Sequence, residues 1–575
     1  MHIAAPKPLL ILDYKLFFGE EPPENRISLI SHISKESILY EISALNYRLK
    51  PKTQIQIDES FETQVKELNY FTQTKELYAK YSKVADKYTK SKEEYPVIFN
   101  RQACLFAMEE IVNSTEIINI DNFNMARIEV WDSILKYLLA VNYAITQIRE
   151  EDKDTRVDFE SLNPKLLPLN EMSIETDPVF TAFRGFHLIN FFLKHEVFSN
   201  EITQYFKEVY DIEPQQFIFE LFSMYLSNSS EKPEHNFFYF IKDGHQSLFD
   251  KLSVSIPNNE THKLITIRKS PFINVGHCKY ILSDNSFLLE KTYSQFLNDF
   301  WFDWIKNLKD EQGKSKFKIT FYRSAFGYFF ENYMGEILKV CFENYKHSVL
   351  LLFDQLKLPT RNGNIEIADV YFRSNSKIIL GQVKSSSIYD DDKFGGSIET
   401  LYKNDRNSFF EKFGVNQVVK SIEILEEQML NIDPKFPKGH VYAIFPCIFL
   451  NDKALQTPLM ADTFNARFQE LIADLKTNKV TIKPLTLIHI SDLEKLENYL
   501  NKNPKEIWEL FRFNQRDKHF IPPIYATLNF KLRGLKYPDK IMKLFTSLVH
   551  KYNPNKEESR QPDKPDSNLI KQESV

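Results

Sequence analysis

Three polar residues in two neighbouring apolar segments have the types and spacing that chemistry on a charged substrate requires. Asp369 lies in the alternating segment NIEIADVYF (364–372), and Gln382 and Lys384 lie near the end of KIILGQVKSS (377–386). Both segments are typical of strands, and Asp is disfavoured in the interior of a strand unless it has a role there. The 13 positions from Asp369 to Gln382 allow one strand to end and the next to return beside it as a hairpin. Because side chains alternate along a strand, Gln382 and Lys384 are predicted to share one face.

Such a hairpin would bring a carboxylate, an amide oxygen and an ammonium group to one edge of a sheet. Hard divalent cations such as Mg²⁺ or Mn²⁺ prefer oxygen ligands, which Asp369, the Gln382 side chain and the Val383 carbonyl could supply. A cation held there would lower the pKa of a bound water and neutralise charge on a phosphodiester. Lys384 would then orient that water or stabilise the charge that develops on the phosphate.

A helix predicted over 323–342 adds another carboxylate upstream of the two strands. Phe326, Phe330 and Met334 recur there at helical spacing, and Glu331 lies among them. Judged by residue type alone, a Glu in such a helix is more often a surface group than a ligand.

The order Glu331, Asp369 and then Gln382-Val383-Lys384 resembles the PD-(D/E)xK nuclease superfamily. In that superfamily an acidic residue on a helix precedes an Asp, and Glu-x-Lys or Gln-x-Lys follows on the next strand. The Gln-x-Lys form is similar to that of Mrr-type restriction nucleases, although Glu is commoner at the position of Gln382 and a neutral amide binds cations more weakly.

This resemblance covers about residues 320–450 and implies a restriction-endonuclease-like core that binds Mg²⁺ or Mn²⁺. It implies these catalytic residues: Glu331, Asp369, Gln382 and Lys384. It implies these metal ligands: Asp369, Gln382, Val383 and Glu331. Glu336 and Glu366 are the alternatives to Glu331.

A second helix, predicted over GVNQVVKSIEIL (414–425), would follow the two strands and carry Gln417 and Lys420 near its start. The resemblance implies that such a helix presents a Gln or a basic residue to the site. Basic side chains near the centre would attract phosphates, and Lys393 and Arg373 complete the predicted nucleic-acid-binding set. For Gln417, a polar residue at a helix start is an equally good interpretation.

The rest of the chain divides by pattern around this core, and the predicted fold class is an α/β core, a mixed sheet flanked by helices, with a large mainly α-helical N-terminal region. The scarcity of glycine, 14 in 575 residues, suits a helix-rich protein. The predicted parts are a helical sensing or recognition region (1–230), a mixed connecting region (231–318), the nuclease domain with a C-terminal extension (319–552) and a disordered polar tail (553–575).

Composition and motifs exclude several classes of protein. The formal net charge of -5 does not indicate a basic nucleic-acid-binding domain, although a local groove can be basic. The four cysteines form no CxxC pair, which argues against a disulfide framework or a zinc knuckle. No P-loop, HExxH or GxSxG sequence is present. Without a convincing signal peptide or a run of about 20 apolar residues, a cytoplasmic location and no membrane association are predicted.

The leading hypothesis is therefore a metal-dependent DNA endonuclease. Analogy at the level of the fold suggests a prokaryotic defence effector, anti-phage or restriction, whose N-terminal part recognises a trigger. The alternatives are a catalytically inactive nuclease-fold protein that binds nucleic acid or a partner, and an RNA-directed nuclease. A homodimer is compatible with two cuts in a duplex, and a partner protein is equally compatible with the sequence.

Overall fold

The computed structural model describes most of the chain, and the statements below concern the described residues. These are residues 10–49, 60–72, 75–88, 96–117, 127–146, 171, 177–228, 237–242, 244–254, 264–360, 363–387, 406–437, 441–475, 480–516, 521–531 and 537–552. Lys393 and the predicted disordered tail (553–575) lie outside these ranges.

Helices make up the described part of the first 230 residues, as their periodicity predicts. Short polar side chains begin several of them: Ser34, Asn100 and Asp177 each accept a hydrogen bond from a backbone N–H in the first turn. The helices are α1 (Tyr14–Phe18), α2 (Lys35–Arg48), α3 (Phe61–Phe71), α4 (Lys75–Tyr88), α5 (Arg101–Asn113), α6 (Arg127–Thr146), α7 (Pro178–Lys194), α8 (Ser199–Tyr205) and α9 (Pro214–Asn228).

A small antiparallel sheet follows in the connecting region, in the order β1-β3-β2. Its strands are β1 (Phe238–Phe240), β2 (Phe272–Gly276) and β3 (Lys279–Leu282), and the helices around it are α10 (Ser247–Lys251), α11 (Ile265–Lys269), α12 (Asn285–Glu290) and α13 (Ser294–Asp299). The aromatic segment after α13 continues as a π-helical turn at Phe300–Trp304 and a short 3₁₀ turn at Ile305–Asn307.

From residue 319 onward, helices and strands intermingle. The helices are α14 (Ile319–Phe342), α15 (Arg406–Lys412), α16 (Val415–Ile432), α17 (Pro458–Ile472), α18 (Ile490–Lys502), α19 (Glu506–Asn514), α20 (Ile524–Lys531) and α21 (Asp539–Tyr552). The strands are β4 (Ser348–Leu352), β5 (Lys357–Thr360), β6 (Gly363–Glu366), β7 (Val370–Ser374), β8 (Lys377–Lys384), β9 (Tyr442–Leu450), β10 (Val480–Ile482) and β11 (Thr486–His489). No helix of the described ranges is long and apolar enough to cross a membrane.

Six of these strands form a mixed sheet in the order β10-β9-β8-β7-β4, with β11 also paired to β9. Strands β8 and β9 are parallel, whereas β7 is antiparallel to both β8 and β4. The carboxyl ends of β8 and β9 therefore lie at the same edge as the beginning of β7. This edge is the one that receives Asp369, Gln382 and Lys384.

Helices cover both faces of this sheet, so the described fold is α/β. On one face α14 packs against β7, and the rings of Phe342 and Phe372 lie 3.9 Å apart. On the other face α16 and α17 pack over a second core that includes Tyr371 and Leu380. The larger core runs without a break from Leu12 through α14 to Ile541. The three predicted parts of the chain, 1–230, 231–318 and 319–552, therefore share this core.

One detail of the predicted strands is wrong. The segment 364–372 does not form a single strand: β6 ends at Glu366 and β7 begins at Val370. Ile367 and Ala368 turn into the second core instead, and Asp369 lies just before β7 rather than inside a strand. The Asp369 N–H nevertheless donates to the Gly381 carbonyl at 3.0 Å, so the pairing with β8 already begins at this residue.

Candidate active site

The pairing of β7 with β8 brings Asp369 beside Gln382 and Val383. Val370 pairs with Gly381 in the antiparallel register, so Asp369 stands opposite Gln382. The Val383 N–H donates to Asp369 Oδ2 at 2.7 Å, which fixes the carboxylate against the neighbouring strand. Asp369 and Gln382 are both buried, at 8% and 7% exposure. A hairpin of this kind is what the spacing of 13 residues predicts.

Gln382 is oriented by a chain of hydrogen bonds to α16. The Ser421 hydroxyl donates its one hydrogen to the Gln417 carbonyl at 2.7 Å, so its lone pairs are left to accept. Gln382 Nε2 donates to Ser421 Oγ at 3.0 Å. The nitrogen of the amide must therefore face Ser421, which leaves Oε1 as the atom that can accept a hydrogen bond or bind a cation.

Lys384 shares a face of β8 with Gln382 and passes close to the start of α16. A Cβ atom at Gly414 would lie 2.5 Å from Lys384 Cε and 3.6 Å from Gln382 Cβ. Gly414 also has a φ of +88° at the N-cap of α16, so both the space and the backbone favour glycine. Within the described ranges Lys384 forms no ion pair or hydrogen bond through its ammonium group. Burial lowers its pKa, while the charges of Asp369, Glu366 and Glu331 oppose that change.

The pKa values of two carboxyl groups at this edge, Asp369 and Glu331, are raised. Burial raises the pKa of Asp369 to about 6, against the opposing effects of the Val383 N–H and Lys384. Burial, together with the charges of Asp369 and Glu366, raises the pKa of Glu331 to about 7. Glu331 therefore belongs to the same electrostatic environment as Asp369 and Lys384, although α14 packs on the face of the sheet opposite to α16.

The alternatives to Glu331 separate in the structure. Glu366 is exposed at the end of β6, and its charge acts on Glu331, Asp369 and Lys384. Glu336 is exposed farther along α14, and its charge acts on Glu497 instead. Glu366 thus remains an alternative or an addition to Glu331, whereas Glu336 lies in a different environment.

The structure places the residues predicted to bind phosphate in different environments. Gln417 and Lys420 are exposed on the first turns of α16, the helix whose Ser421 binds the Gln382 amide. Arg373 requires a correction: it is only 6% exposed and its guanidinium pairs with Asp433 at the end of α16. A buried, paired arginine holds β7 to α16 and is not available to a phosphate. Lys393 lies outside the described residues.

Several residues of this edge were not identified from the sequence. Gly414 and Ser421 act through contacts with residues 30 to 39 positions away, so neither has a local signal beyond a glycine at a predicted helix start. Asn451 is another: its N–H donates to the Lys384 carbonyl at 3.2 Å, and its Oδ1 accepts from the Tyr293 hydroxyl at 2.7 Å. Through Asn451, the connecting region (231–318) contacts the strand that carries Lys384.

The donor atoms at this edge suit a hard cation but are few. Among the described residues, no group of three or more His, Cys, Asp or Glu side chains is arranged to hold a metal ion. A divalent cation here would therefore depend on the two carboxylates, Asp369 and Glu331, together with the Gln382 amide oxygen and the Val383 carbonyl. All four are oxygen donors, which is the chemistry that Mg²⁺ and Mn²⁺ prefer.

Three kinds of comparison add no relatives to this picture. No protein-family model, curated protein or solved structure matches the chain. The case for a function therefore rests on the residues and contacts described above.

Proposed function

We propose that residues 319–552 form a restriction-endonuclease-like domain and that the protein is a metal-dependent endonuclease that hydrolyses phosphodiester bonds of DNA. The observation that carries this proposal is the juxtaposition at one sheet edge of Asp369, Gln382 and Lys384. Glu331 shares their electrostatic environment, and Lys384 has no ion-pair partner in the described ranges. Perturbed groups gathered at one edge are characteristic of catalytic sites, although structural charge networks produce them too.

The order of elements supports the same proposal. Helix α14 carries Glu331, β7 follows Asp369, β8 carries Gln382 and Lys384, and α16 follows. This is the order of carboxylate-bearing helix, strand, strand and helix that the PD-(D/E)xK resemblance implies.

The chain's own residues would act on the phosphate in complementary ways. Lys384 would donate to a phosphate oxygen and stabilise the charge that develops there, an effect that is strong where water is excluded. The start of α16 has no side-chain cap from Gly414, and the N–H groups of a helix start attract anions. Asp369, Glu331, Gln382 and Val383 would hold Mg²⁺ or Mn²⁺. When bound, such a cation supplies a water of lowered pKa and neutralises phosphate charge.

The N-terminal helices would be the part of the molecule that recognises a trigger or a form of DNA. Their core is continuous with α14, and Tyr293 contacts Asn451 beside the Lys384 carbonyl. A change in the N-terminal half could therefore reach the proposed centre. This is compatible with a prokaryotic defence effector, by analogy of architecture alone.

One observation favours a second candidate function, a catalytically inactive nuclease-fold protein that binds nucleic acid or a partner. Gln382 is neutral and its amide nitrogen is engaged by Ser421. A site with only two carboxylates and an amide binds cations more weakly than one with three carboxylates. Against this candidate, Lys384 is held half-buried beside Gly414 and forms no ion pair within the described ranges, which leaves its charge available to a ligand.

Plasmid cleavage would test the proposal directly. Wild type, Asp369→Ala and Lys384→Ala are compared in Mg²⁺, Mn²⁺ or EDTA, on supercoiled DNA and on RNA of matched length. Lys543→Ala, an exposed lysine on α21, is the matched control. Metal-dependent cutting that both site variants lose and the control keeps would support the nuclease. Cutting that survives in both variants would overturn the site, and purified wild type that cuts neither substrate would favour the inactive candidate.

A further inference from the structure

A row of aromatic rings leads along the surface to Glu331. Phe321 and Tyr328 on α14 are 44% and 62% exposed, although most large apolar side chains of this helix are buried. They stand seven positions apart, about two turns or ~10 Å along the axis, and so lie on one face. Tyr328 is three positions before Glu331, which makes the two side chains neighbours on the helix surface.

Two half-buried rings at the end of α7 connect these exposed ones. The ring of His195 lies 6.2 Å from that of Phe321 and 5.6 Å from that of Phe191. Phe191 lies 6.2 Å from Tyr328. The four residues Phe321, His195, Phe191 and Tyr328, hereafter the aromatic row, therefore form a continuous path whose last ring adjoins the proposed centre.

Positive charge flanks the aromatic row. Lys194 precedes His195, and Lys318 lies one turn before Phe321; both are exposed, and neither forms an ion pair or hydrogen bond through its ammonium group within the described ranges. Glu196 is an exposed carboxylate in the same turn, which leaves the two lysines in excess. Gly327, one position before Tyr328, would contact Ser385 Oγ through an added Cβ at 3.6 Å, so α14 passes close to the residue after Lys384.

We propose that the aromatic row binds an unpaired nucleic-acid strand and leads it to the cutting centre, an inference that rests on the proposed function. Exposed ring faces bind bases by stacking, and flanking lysines bind the backbone. A duplex offers no such match, because its bases already stack on one another and present only their edges in the grooves. The substrate class would then be DNA or RNA with a single-stranded segment, such as a tail, a gap or a loop.

Binding in EDTA tests this without requiring cleavage. Fluorescence anisotropy would measure the affinity of labelled oligo(dT), oligo(U) and a duplex of matched length for wild type, Phe321→Ala, Tyr328→Ala and the double variant. Phe240→Ala removes an exposed ring on β1, distant in the fold, and is the matched control. Each single variant should weaken single-strand binding by at least about fivefold and the double variant by about 25-fold, on the scale of base stacking. Tyr328→Phe should keep the wild-type affinity.

The outcomes separate this inference from the proposed function. Unchanged single-strand affinity in the double variant, or wild-type preference for the duplex, would overturn the aromatic row as a strand-binding surface even if the plasmid is cut. Loss of single-strand binding in the ring variants would support it even if no cutting is seen. Oligo(dU) against oligo(U), which differ only in the sugar, then identifies the sugar.

Discussion

Buried or half-buried charged side chains occur in two regions of the molecule, and the two regions differ in whether those charges are paired. In the N-terminal part of the chain (residues 1–318) several are paired: Arg101 donates to Asp284 at 2.8 Å, and Arg268 donates to Glu290 at 2.5 Å. At the sheet edge, Asp369, Glu331 and Lys384 influence one another without an ion pair within 4 Å among the described residues. Paired charges are typical of residues that stabilise a fold, whereas the unpaired charges at the sheet edge leave room for a ligand.

The difference has a physical meaning. When a buried charge is paired, removal of its partner lowers the free energy of unfolding strongly, because the remaining charge has no compensation. A buried charge that is never paired already lowers the free energy of unfolding of the wild-type chain. Such a cost persists at sites that bind or react. Stability and function should therefore respond oppositely to substitutions in the two regions.

The largest expected effect is on stability, in the N-terminal half. Arg101→Ala leaves Asp284 without its cation, with the aspartate side chain fully buried. Removal of one partner of a buried pair costs about 3–5 kcal/mol. Urea unfolding should show a loss of this size, while Arg512→Ala, in an exposed pair with Glu509, should change stability by less than about 1 kcal/mol. Equal effects in the two variants would show that burial does not distinguish these pairs.

At the sheet edge the expected effect is on activity. Lys384→Met keeps the length of the side chain and removes its charge, so plasmid cutting should fall by about 10²–10³-fold, or about 2.7–4 kcal/mol. The melting temperature should stay the same or rise, because a half-buried ammonium group without an ion pair in the described ranges is lost. A melting temperature that falls as much as in Arg101→Ala would make Lys384 a structural residue and remove the contrast.

A smaller effect is expected from Gly414→Ala, with Gly19→Ala as its matched control. Both glycines have left-handed backbones, with φ of +88° and +84°, so each alanine should cost about 1–2 kcal/mol. An added Cβ at Gly19 meets nothing within 4 Å, whereas at Gly414 it meets Lys384 Cε at 2.5 Å. Only Gly414→Ala should therefore also reduce cutting, by displacing the lysine. Equal cutting in both variants would show that the position of Lys384 is not critical.

The sequence predicted what depends on local pattern and missed what depends on distant contacts. Alternation and spacing predicted the β7–β8 hairpin and the shared face of Gln382 and Lys384, because strand geometry follows from neighbouring residues. The burial of Arg373 depends on Asp433, 60 positions away, and no local pattern announces it. A basic residue in a strand looks the same in sequence whether it meets a phosphate or a buried carboxylate.

The same limit applies to the candidate site. The carboxylates Glu331, Glu336 and Glu366 are equivalent by residue type, and only the packing of α14 on the sheet separates Glu336 from the other two. The strand containing Asp369 was predicted too long because Ile367 and Ala368, apolar residues suited to a strand, are buried in a turn. Residues that support the site, such as Gly414 and Ser421, act across the α16 interface.

The remaining expected effect concerns the pH dependence of stability in the absence of metal. Burial raises the pKa of Asp369 to about 6 and that of Glu331 to about 7. Between roughly pH 4 and pH 7 the folded chain therefore binds more protons than the unfolded chain, and the free energy of unfolding should fall as pH rises. In EDTA, the loss from pH 5 to pH 8 attributable to each carboxyl group should be on the order of 1–3 kcal/mol, with the larger share from Glu331.

Substitutions isolate this contribution. Asp369→Asn and Glu331→Gln should each flatten the pH dependence and stabilise the chain at pH 8, while Glu423→Gln, an exposed glutamate on α16, should not. Mg²⁺ or Mn²⁺ should raise the melting temperature of wild type at pH 8, where both carboxyl groups are ionised, and should do so less in the two site variants. If the pH dependence is unchanged in both variants, the sheet edge does not hold carboxylates at a cost to stability, and its contrast with the paired charges of the N-terminal half disappears.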